Sequence, residues 1–471
     1  MLISRLLKAI DKEYKEKDAD IKLITDDSRK CEKDCIFVCT EKGNDYVKEA
    51  LSKGAALVIA QEKLCESCIV VPDAREAYAI LSAELFGNCH KRLRLIGVTG
   101  TNGKTTVCEM LYSIMTAEGK RCGLTSTVRN ITSDAETDAQ LTTPDPFTLH
   151  RLFYELCRSG AEYCIVECSS QGLSQKRLHG LSFEMGILTN FSQDHLDYHK
   201  NEESYLEAKK MLFAQSETGI INLDDPRAEA FISACKGRVF TYSAAKDEAD
   251  FTAKAVNLSG EGSDYAFVGD SIIHRIKLKL PGLFNISNSM AALSAAVKLG
   301  FSLDGCAAGL RNFYGVRGRM ELLPVNKEYD VIIDYAHTPD GLRQLLLAVS
   351  SFKKGRIITV FGCGGDRDKD KRSIMGSTVC EFSDIAVITS DNPRSEDPQD
   401  IIDDILEGTK NSKTTVYIHK NRTKAIEFAL KNAAKNDIIL LCGKGHEIYQ
   451  LVGKEKIPYD ERQIVLELLK Q

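Results

Sequence analysis

At 471 residues the chain is too long for one ordinary core, so two to four domains are expected. Hydrophobic residues at 43% and charged residues at 27% fit a soluble globular protein, and a net charge of −5 with no basic block argues against nucleic acid as the main partner. No apolar run reaches the ~18–20 residues of a bilayer span, residues 1–8 lack the apolar core and cleavage site of a signal peptide, and sixteen scattered cysteines read as reduced thiols, so a cytoplasmic protein is expected. Cys65-Glu-Ser-Cys68 is the only C-x-x-C pair, too little for a zinc site of finger type.

In chain order, short β-like runs at 35–39, 56–60 and 68–71 with a helical stretch at 73–86 read as a small α/β domain over residues 1–92. A buried-strand run at 94–99 leads straight into a Gly-rich loop and then a helix from about 104 to 118. Apolar runs at 163–167 and 185–189, with helical patterns between, predict a parallel sheet with crossovers. Residues 251–280 change rhythm. The alternation in Ile272-Ile-His-Arg-Ile-Lys-Leu-Lys-Leu280 predicts antiparallel strands appended to that sheet, completing a central domain over 93–317. After Gly315-Val-Arg-Gly-Arg319 the pattern restarts, with runs at 331–334, 356–361, 385–389, 415–418 and 437–441 separated by helices. The expected fold class is α/β in three domains: a small N-terminal α/β domain, a central P-loop parallel sheet, and a doubly wound, Rossmann-like domain over 318–471.

Gly100-Thr-Asn-Gly-Lys-Thr-Thr106 sits between that strand and that helix. Gly100 and Gly103 allow backbone angles and close approach that a side chain forbids, the helix N-terminus directs N–H groups at an anion, Lys104 brings a point charge and Thr105 a hydroxyl for Mg²⁺. The strict phosphate-loop spacing is not met, because position 98 is Val. Mononucleotide binding follows, but the loop alone does not separate kinase, NTPase and ligase.

Residues 100–106 are similar to the ATP loop of the Mur ligase family. Glu167-Cys-Ser-Ser-Gln-Gly-Leu173, Thr189-Asn-Phe-Ser-Gln-Asp-His195-Leu-Asp-Tyr-His199, Asn285-Ile-Ser-Asn288, Gly318-Arg-Met-Glu321 and Asp334-Tyr-Ala-His-Thr-Pro339 resemble its further signatures, in order and over essentially the whole chain. Asp27-Ser-Arg29, Asp391-Asn-Pro-Arg394 and Gly443-Lys-Gly-His-Glu447 are most similar to the branch that adds the third residue of the peptidoglycan stem peptide. The resemblance implies an ATP-dependent amide ligase of cell-wall precursor synthesis, expected as a monomer. The γ-phosphate would pass to the D-Glu carboxylate of UDP-MurNAc-L-Ala-D-Glu, and the acyl phosphate would be attacked by the amine of a diamino acid. Holding a carboxylate against a triphosphate requires Mg²⁺ and basic side chains in a site closed to water.

The resemblance also implies roles residue by residue. Residues Gly100, Thr101, Asn102, Gly103, Lys104, Thr105 and Thr106 would cradle ATP, with Asn285 and Asn288 toward adenine, Arg319 toward the phosphates, Asp334 toward the ribose and His337 near the nucleotide. Thr105 and Glu167 would hold Mg²⁺, His195 a second Mg²⁺, and Lys209 would serve as a ligand after carbamylation by CO₂. From the residues alone Lys209 is a surface lysine and His195 a structural hydrogen-bonder, whereas Glu167 ends a predicted strand where a carboxylate can reach the loop, with a solvated strand end as its competing reading. Ser28, Thr142, Thr143, Ser169, Gln175 and Arg177 would hold the UDP-MurNAc-dipeptide. Gln171 departs from the family, which often has His there.

Asp391-Asn-Pro-Arg394 would choose the amino acid. Relatives with Arg at this place generally add meso-diaminopimelate, whose distal carboxylate a bidentate Arg394 can recognise. Glu447 would hold the distal ammonium, and Arg367, Asp391, Asn392, Pro393 and Gly443 would complete the pocket. The competing reading of Arg394 is a surface salt bridge to Glu396 or Asp397. Competing readings of the chain are a lysine- or ornithine-adding ligase, the D-Ala-D-Ala-adding ligase of the family, a folylpolyglutamate synthetase, and a P-loop regulatory or motor NTPase.

Overall fold

The computed structural model describes residues 1–16, 18–132 and 135–470. Three separate sheets organise them, as the sequence leads one to expect. The first is four-stranded and parallel, in the order Leu23–Thr25, Cys35–Val38, Ala55–Ala60, Cys68–Val70. Ala74–Leu85 closes one face. Its start is set by Asp73, whose side chain accepts from the Arg75 and Glu76 amides, and its alanines and Leu81 pack on Ile24, Ile36 and Ile59.

The central sheet has eleven strands. Its parallel heart runs Arg238–Ser243, Ser216–Asn222, Phe183–Leu188, Arg94–Thr99, Tyr163–Glu167, Cys122–Thr125. These strands are apolar along most of their length because helices cover both faces. Lys104–Ala117 and Leu283–Lys298 cover one face through Val107, Leu111 and Met290. Pro146–Arg158 and Glu202–Ala214 cover the other through Phe153, Leu212 and Phe213. The expected antiparallel extension is present as Phe251–Ser259, Gly262–Gly269 and Ile272–Leu278. There the alternation buries Phe267, Ile276 and Leu278 and leaves Ile273 exposed. At the opposite edge, Arg129–Ile131 and Glu136–Asp138 form a short antiparallel meander that the sequence pattern does not reveal.

The third sheet has the order Glu321–Leu323, Asp330–Asp334, Ile438–Cys442, Ile357–Phe361, Ile385–Thr389, Thr415–His419, with only the first strand antiparallel. Pro339–Ser350, Asp370–Phe382 and Pro398–Glu407 lie on one face, Arg422–Asn432 and Glu461–Leu468 on the other. This is the doubly wound domain expected from the alternation of apolar runs. Ligand-binding loops gather at the carboxyl ends of such parallel strands. Here three of those ends lead into Gly362–Arg367, Asp391–Arg394 and Gly443–Glu447 as residues 362–367, 391–394 and 443–447. Distant stretches of sequence thus meet at one rim. A two-stranded hairpin, Tyr449–Val452 with Glu455–Pro458, follows.

Candidate active site

The strand Arg94–Thr99 lies between Phe183–Leu188 and Tyr163–Glu167, all running the same way. Its loop is therefore flanked by the carboxyl ends of both neighbours. The close approach explains the glycines. Gly100 (φ 146°) leaves no room for a Cβ, which would sit 1.9 Å from the Thr189 hydroxyl, and a Cβ on Gly103 (φ 84°) would sit 2.3 Å from Asn288 Oδ1. Thr101 joins its hydroxyl to that of Tyr205 at 3.0 Å, and Asn102 Nδ2 donates to Asp340 across the domain boundary at 3.0 Å. Lys104 folds back, donating to the Gly100 and Thr101 carbonyls at 3.0 and 2.8 Å. Burial pushes its ammonium below the usual range.

Glu167 is fully buried. It accepts from the Thr105 hydroxyl at 3.1 Å, the Thr127 amide at 2.7 Å and the Thr127 hydroxyl at 2.9 Å. It is not a solvated strand end. Lys209 is not a surface residue either: it is buried, and its Nζ donates to Gly100 O at 2.6 Å and lies 4.4 Å from the centre of the Tyr205 ring. Burial, and the cation of Lys104 nearby, push its ammonium well below the ordinary lysine value. Lys210 turns outward to Glu207. His195 opens the helical turn Leu196–His199 with a left-handed backbone (φ 56°) and lies 3.4 Å from Asp194 Oδ2. Burial lowers its pKa to about 4. Asp194 is a hub. Burial opposes its charge, yet His195, His337 and Lys371 together hold its carboxyl well below the usual range, at 3.9 Å for His337 and 3.7 Å for Lys371.

Arg319 spans the junction. Its Nη2 is 3.5 Å from the Thr105 hydroxyl, its guanidinium lies over Tyr335, and its Nε is buried without a partner. An orphaned buried donor beside a phosphate loop fits an anionic ligand. Next to it is a cavity of about 430 Å³ lined by Asn102, Gly103, Thr106, Asn285, Asn288, Arg319 and Asp334. Asn288 and Asn285 are linked at 3.5 Å, and Asn285 Nδ2 donates to Pro281 O. Asp334 faces the cavity, but its oxygens already take the Met320 and Ala336 amides at 2.6 and 2.7 Å. Its carboxylate therefore also fixes the entrance to the last domain. His337 binds the Tyr335 carbonyl through Nδ1 at 2.7 Å.

A second cavity, of about 190 Å³, joins the loop to Thr142, Thr143, Glu167, Ser169, Arg177, His195, Arg319 and His337. Thr143 Oγ1 donates to Glu167 O at 2.7 Å and accepts from the Ser169 amide at 2.9 Å, and Thr142 meets Thr127 at 3.1 Å. Arg177 donates to Thr143 O and Gln175 Oε1, both at 2.6 Å. Ser28 is not brought there: its hydroxyl donates to Glu49 within the N-terminal sheet domain, at 2.7 Å. Gln171 lines this cavity, and His199, from another segment, bonds the adjacent Ser170 at 3.0 Å. A histidine thus stands beside the turn where the family often carries one.

On the C-terminal rim, the expected salt bridge of Arg394 to Glu396 or Asp397 does not form, because Glu396 is taken by Arg372 and Asp397 by Lys420, each at 2.8 Å. Among the described residues no carboxylate lies within ion-pair distance of Arg394, whose Nη1 donates to Gly365 O at 2.6 Å. Burial and the adjacent Arg367 push its guanidinium below the usual value. Pro393 follows Asn392 into a left-handed Arg394 (φ 52°). Arg367 reaches Asp197 of the central domain at 2.9 Å. Asp391 Oδ2 is buried without a hydrogen bond, and Gly443 (φ 106°) approaches so closely that a Cβ there would lie 2.6 Å from it. Glu447 accepts from Asn392 at 2.9 Å and from Lys444 at 2.7 Å. Lys444, Asp194, Lys371 and Thr127 were not singled out by sequence; Asp194 and Lys444 stand inside the motifs, whereas Thr127 carries no sequence signal.

The described residues hold no group of three His, Cys, Asp or Glu side chains arranged for a metal. The sixteen cysteines are free thiols, and no helix among the described residues is long and apolar enough to cross a membrane.

A phosphate loop that opens on two cavities, with a doubly wound domain docked across it, is the framework of a nucleotide-using enzyme. The chain belongs to the Mur ligase family: residues 98–296 match the Mur ligase middle domain and residues 318–445 the Mur ligase glutamate ligase domain. It is 41% identical over 486 residues to the UDP-N-acetylmuramoyl-L-alanyl-D-glutamate--2,6-diaminopimelate ligase of Clostridium perfringens, covering 100% of this chain and 99% of that one. It is 40% identical to ligase 1 of the same description from Clostridium acetobutylicum, over 94% of each chain. A solved structure of a UDP-N-acetylmuramoyl-L-alanyl-D-glutamate--2,6-diaminopimelate ligase superposes with a TM-score of 0.69 at 31% identity, covering 100% of this chain and 99% of that one. The chain is thus a ligase of an ATP-dependent family.

Proposed function

We propose that this chain acts as a cytoplasmic monomer that joins the amine of meso-diaminopimelate to the D-Glu carboxylate of UDP-MurNAc-L-Ala-D-Glu, converting ATP to ADP and phosphate. The named relatives share this activity in their descriptions. The observation that carries the amino-acid assignment is Arg394, a guanidinium with no carboxylate at ion-pair distance among the described residues, near Asp391, whose Oδ2 has no hydrogen bond and stands 3.9 Å from Arg422. Residues 1–92 and the cluster Thr142, Thr143, Ser169, Gln175 and Arg177 take the nucleotide-sugar peptide in this reading, with Ser28 at its uridine end. Residues 93–317 take ATP, and residues 318–471 take the diamino acid.

In the first step a D-Glu carboxylate oxygen bonds to the γ-phosphorus and the bond to ADP breaks. In the second the diamino-acid nitrogen bonds to the acyl carbon, loses a proton, and phosphate departs. Lys104 exchanges its loop carbonyls for phosphate oxygens, and Arg319 turns its free Nε to the same charge. Arg177 steers the substrate carboxylate. The oxygens of Thr105 and Glu167, buried and adjacent, are the hard donors that suit Mg²⁺, with His195 and a carbamylated Lys209 for a second ion. Bound there, Mg²⁺ supplies charge neutralisation. Lys209 is suited to carbamylation because a neutral amine, without an ion-pair partner among the described residues, can bond to CO₂ with loss of its proton.

Phosphate release with UDP-MurNAc-L-Ala-D-Glu, ATP and Mg²⁺ tests this, comparing meso-diaminopimelate with L-lysine and ornithine. Release is expected only when both other substrates are present, and fastest with diaminopimelate. A preference for lysine would reassign the amino acid, and release independent of both substrates would turn the reading to a regulatory NTPase.

A further inference from the structure

The turn 443–447 carries a lysine that the reaction has not used. Lys444 has no solvent exposure. Its Nζ donates to Asn392 Oδ1 at 2.8 Å and to Glu447 Oε2 at 2.7 Å. Asn392 closes the triangle by donating Nδ2 to the same Glu447 oxygen at 2.9 Å, while its Oδ1 also takes the Leu451 amide at 2.9 Å. The triangle fixes two predicted pocket residues relative to each other, and Glu447, expected to hold the distal ammonium, already has the buried cation of Lys444 as its partner.

The charges around the pocket then sort themselves. Behind it, Arg422 is committed to Glu461 at 2.7 Å and to the Cys442 carbonyl at 2.8 Å, and stands 3.9 Å from Asp391. Arg367 is committed to Asp197. With Glu447 neutralised by Lys444, two charges remain uncompensated among the described residues: the guanidinium of Arg394, and one negative charge of Asp391 and Glu461, which share the single cation Arg422. One is positive and one negative. An ammonium and a carboxylate on a single carbon match that pair, whereas a lone ammonium leaves Arg394 unpaired.

We infer that Lys444 is a positioning residue that sets specificity. By neutralising Glu447 and pinning Asn392, it leaves a balanced cradle for the zwitterionic end of a diamino dicarboxylic acid rather than for the bare ammonium of lysine. This rests on the diaminopimelate reading above. Without the Lys444 charge the pocket gains a surplus negative charge, which repels the distal carboxylate and attracts a lone cation.

The test is steady-state kinetics on the full chain with Lys444→Gln and Lys444→Met. Gln keeps a donor but no charge, so it separates neutralisation from hydrogen bonding. In both variants kcat/KM for meso-diaminopimelate is expected to fall about 10–100-fold while that for L-lysine stays level or rises, with KM for ATP within about twofold. A purely structural role would lower both amino acids alike; an unchanged ratio in folded variants overturns the inference. The wild type gives a second readout that needs no variant. As competitors of meso-diaminopimelate, L-2-aminopimelate, which keeps the distal carboxylate and lacks the ammonium, is expected to match or exceed L-lysine. L-lysine competing more than about tenfold better overturns the balanced cradle. If the wild type itself turns over L-lysine in preference, the diaminopimelate reading fails; if it prefers diaminopimelate and the variants keep that ratio, only the role of Lys444 does.

Discussion

Two lysines, one in each half of the active site, are equally inaccessible to solvent and have opposite surroundings. Lys444 meets a carboxylate at 2.7 Å. Lys209 meets a carbonyl at 2.6 Å, the face of Tyr205, and the field of a second cation, Lys104. Burying an unpaired ammonium costs several kcal/mol, so Lys209 is driven toward the neutral amine, while Lys444 acts as a counter-charge. The residue type is the same; the partners decide whether it is a nucleophile or a brace.

The sharpest break in that comparison is Lys209→Met. If Lys209 becomes a carbamate that completes the phosphate site, turnover is expected to fall at least ~10³-fold. Stability should move the other way. The folded pKa of Lys209 is depressed, so between that value and the unfolded value of about 10.4 the unfolded chain binds one more proton, and native stability rises with pH across the window. Within that window the native lysine is therefore a cost, and Met should melt at the same temperature or higher. Thermal melts beside phosphate-release rates check both signs. A melt lowered along with the rate would mean that Lys209 is a brace like Lys444.

Arg394→Ala is the next largest effect and probes the other half. Truncating a bidentate partner of a carboxylate costs about 2–4 kcal/mol, so KM for meso-diaminopimelate should rise roughly 30–1000-fold. KM for ATP should hold, because Arg394 lines neither of the two cavities beside the phosphate loop. Equal losses for ATP and the amino acid would show that the two halves are not separable in this way.

Much of this arrangement was legible before any coordinates. The strands Arg94–Thr99 and Tyr163–Glu167 are unbroken apolar runs in a sheet covered on both faces, and the glycines at 100 and 103 announce a close approach. The strands Leu23–Thr25, Arg129–Ile131 and Glu136–Asp138 were illegible, since three residues carry no period and Glu136–Asp138 is wholly exposed. Resemblance points to Lys209, and helical spacing also marks it: it shares a buried face with Tyr205 and Leu212, and Lys210 does not. Thr127, which gives Glu167 two hydrogen bonds, lies in a loop whose position depends on strands remote in sequence. The fate of Arg394 could not be read from its neighbours Glu396 and Asp397, because their partners, Arg372 and Lys420, come from other elements.

A second pair of buried basic groups, distinct from the two lysines, isolates burial itself. His90 and His150 face each other with ring centroids 5.1 Å apart where the helix Pro146–Arg158 meets the segment Cys89–Arg92. Neither ring nitrogen of His150 has a hydrogen-bond partner. Burial lowers His90 to about 4, with Lys91 adding to the effect, and His150 to about 3, with His90 adding to it. Below the unfolded value of about 6.5 the unfolded chain takes up protons that the native chain refuses, so stability is lost as pH falls from 6.5 toward 4. At pH 5 this amounts to roughly 1–2 kcal/mol for each ring. His150→Phe keeps the aromatic packing against Phe153 and removes one titrating group. Melting measured from pH 7.5 to pH 5 should fall less steeply in that variant than in the wild type, with activity at neutral pH unaltered. Parallel slopes would place the acid sensitivity in other buried rings such as His446, which burial lowers to about 3.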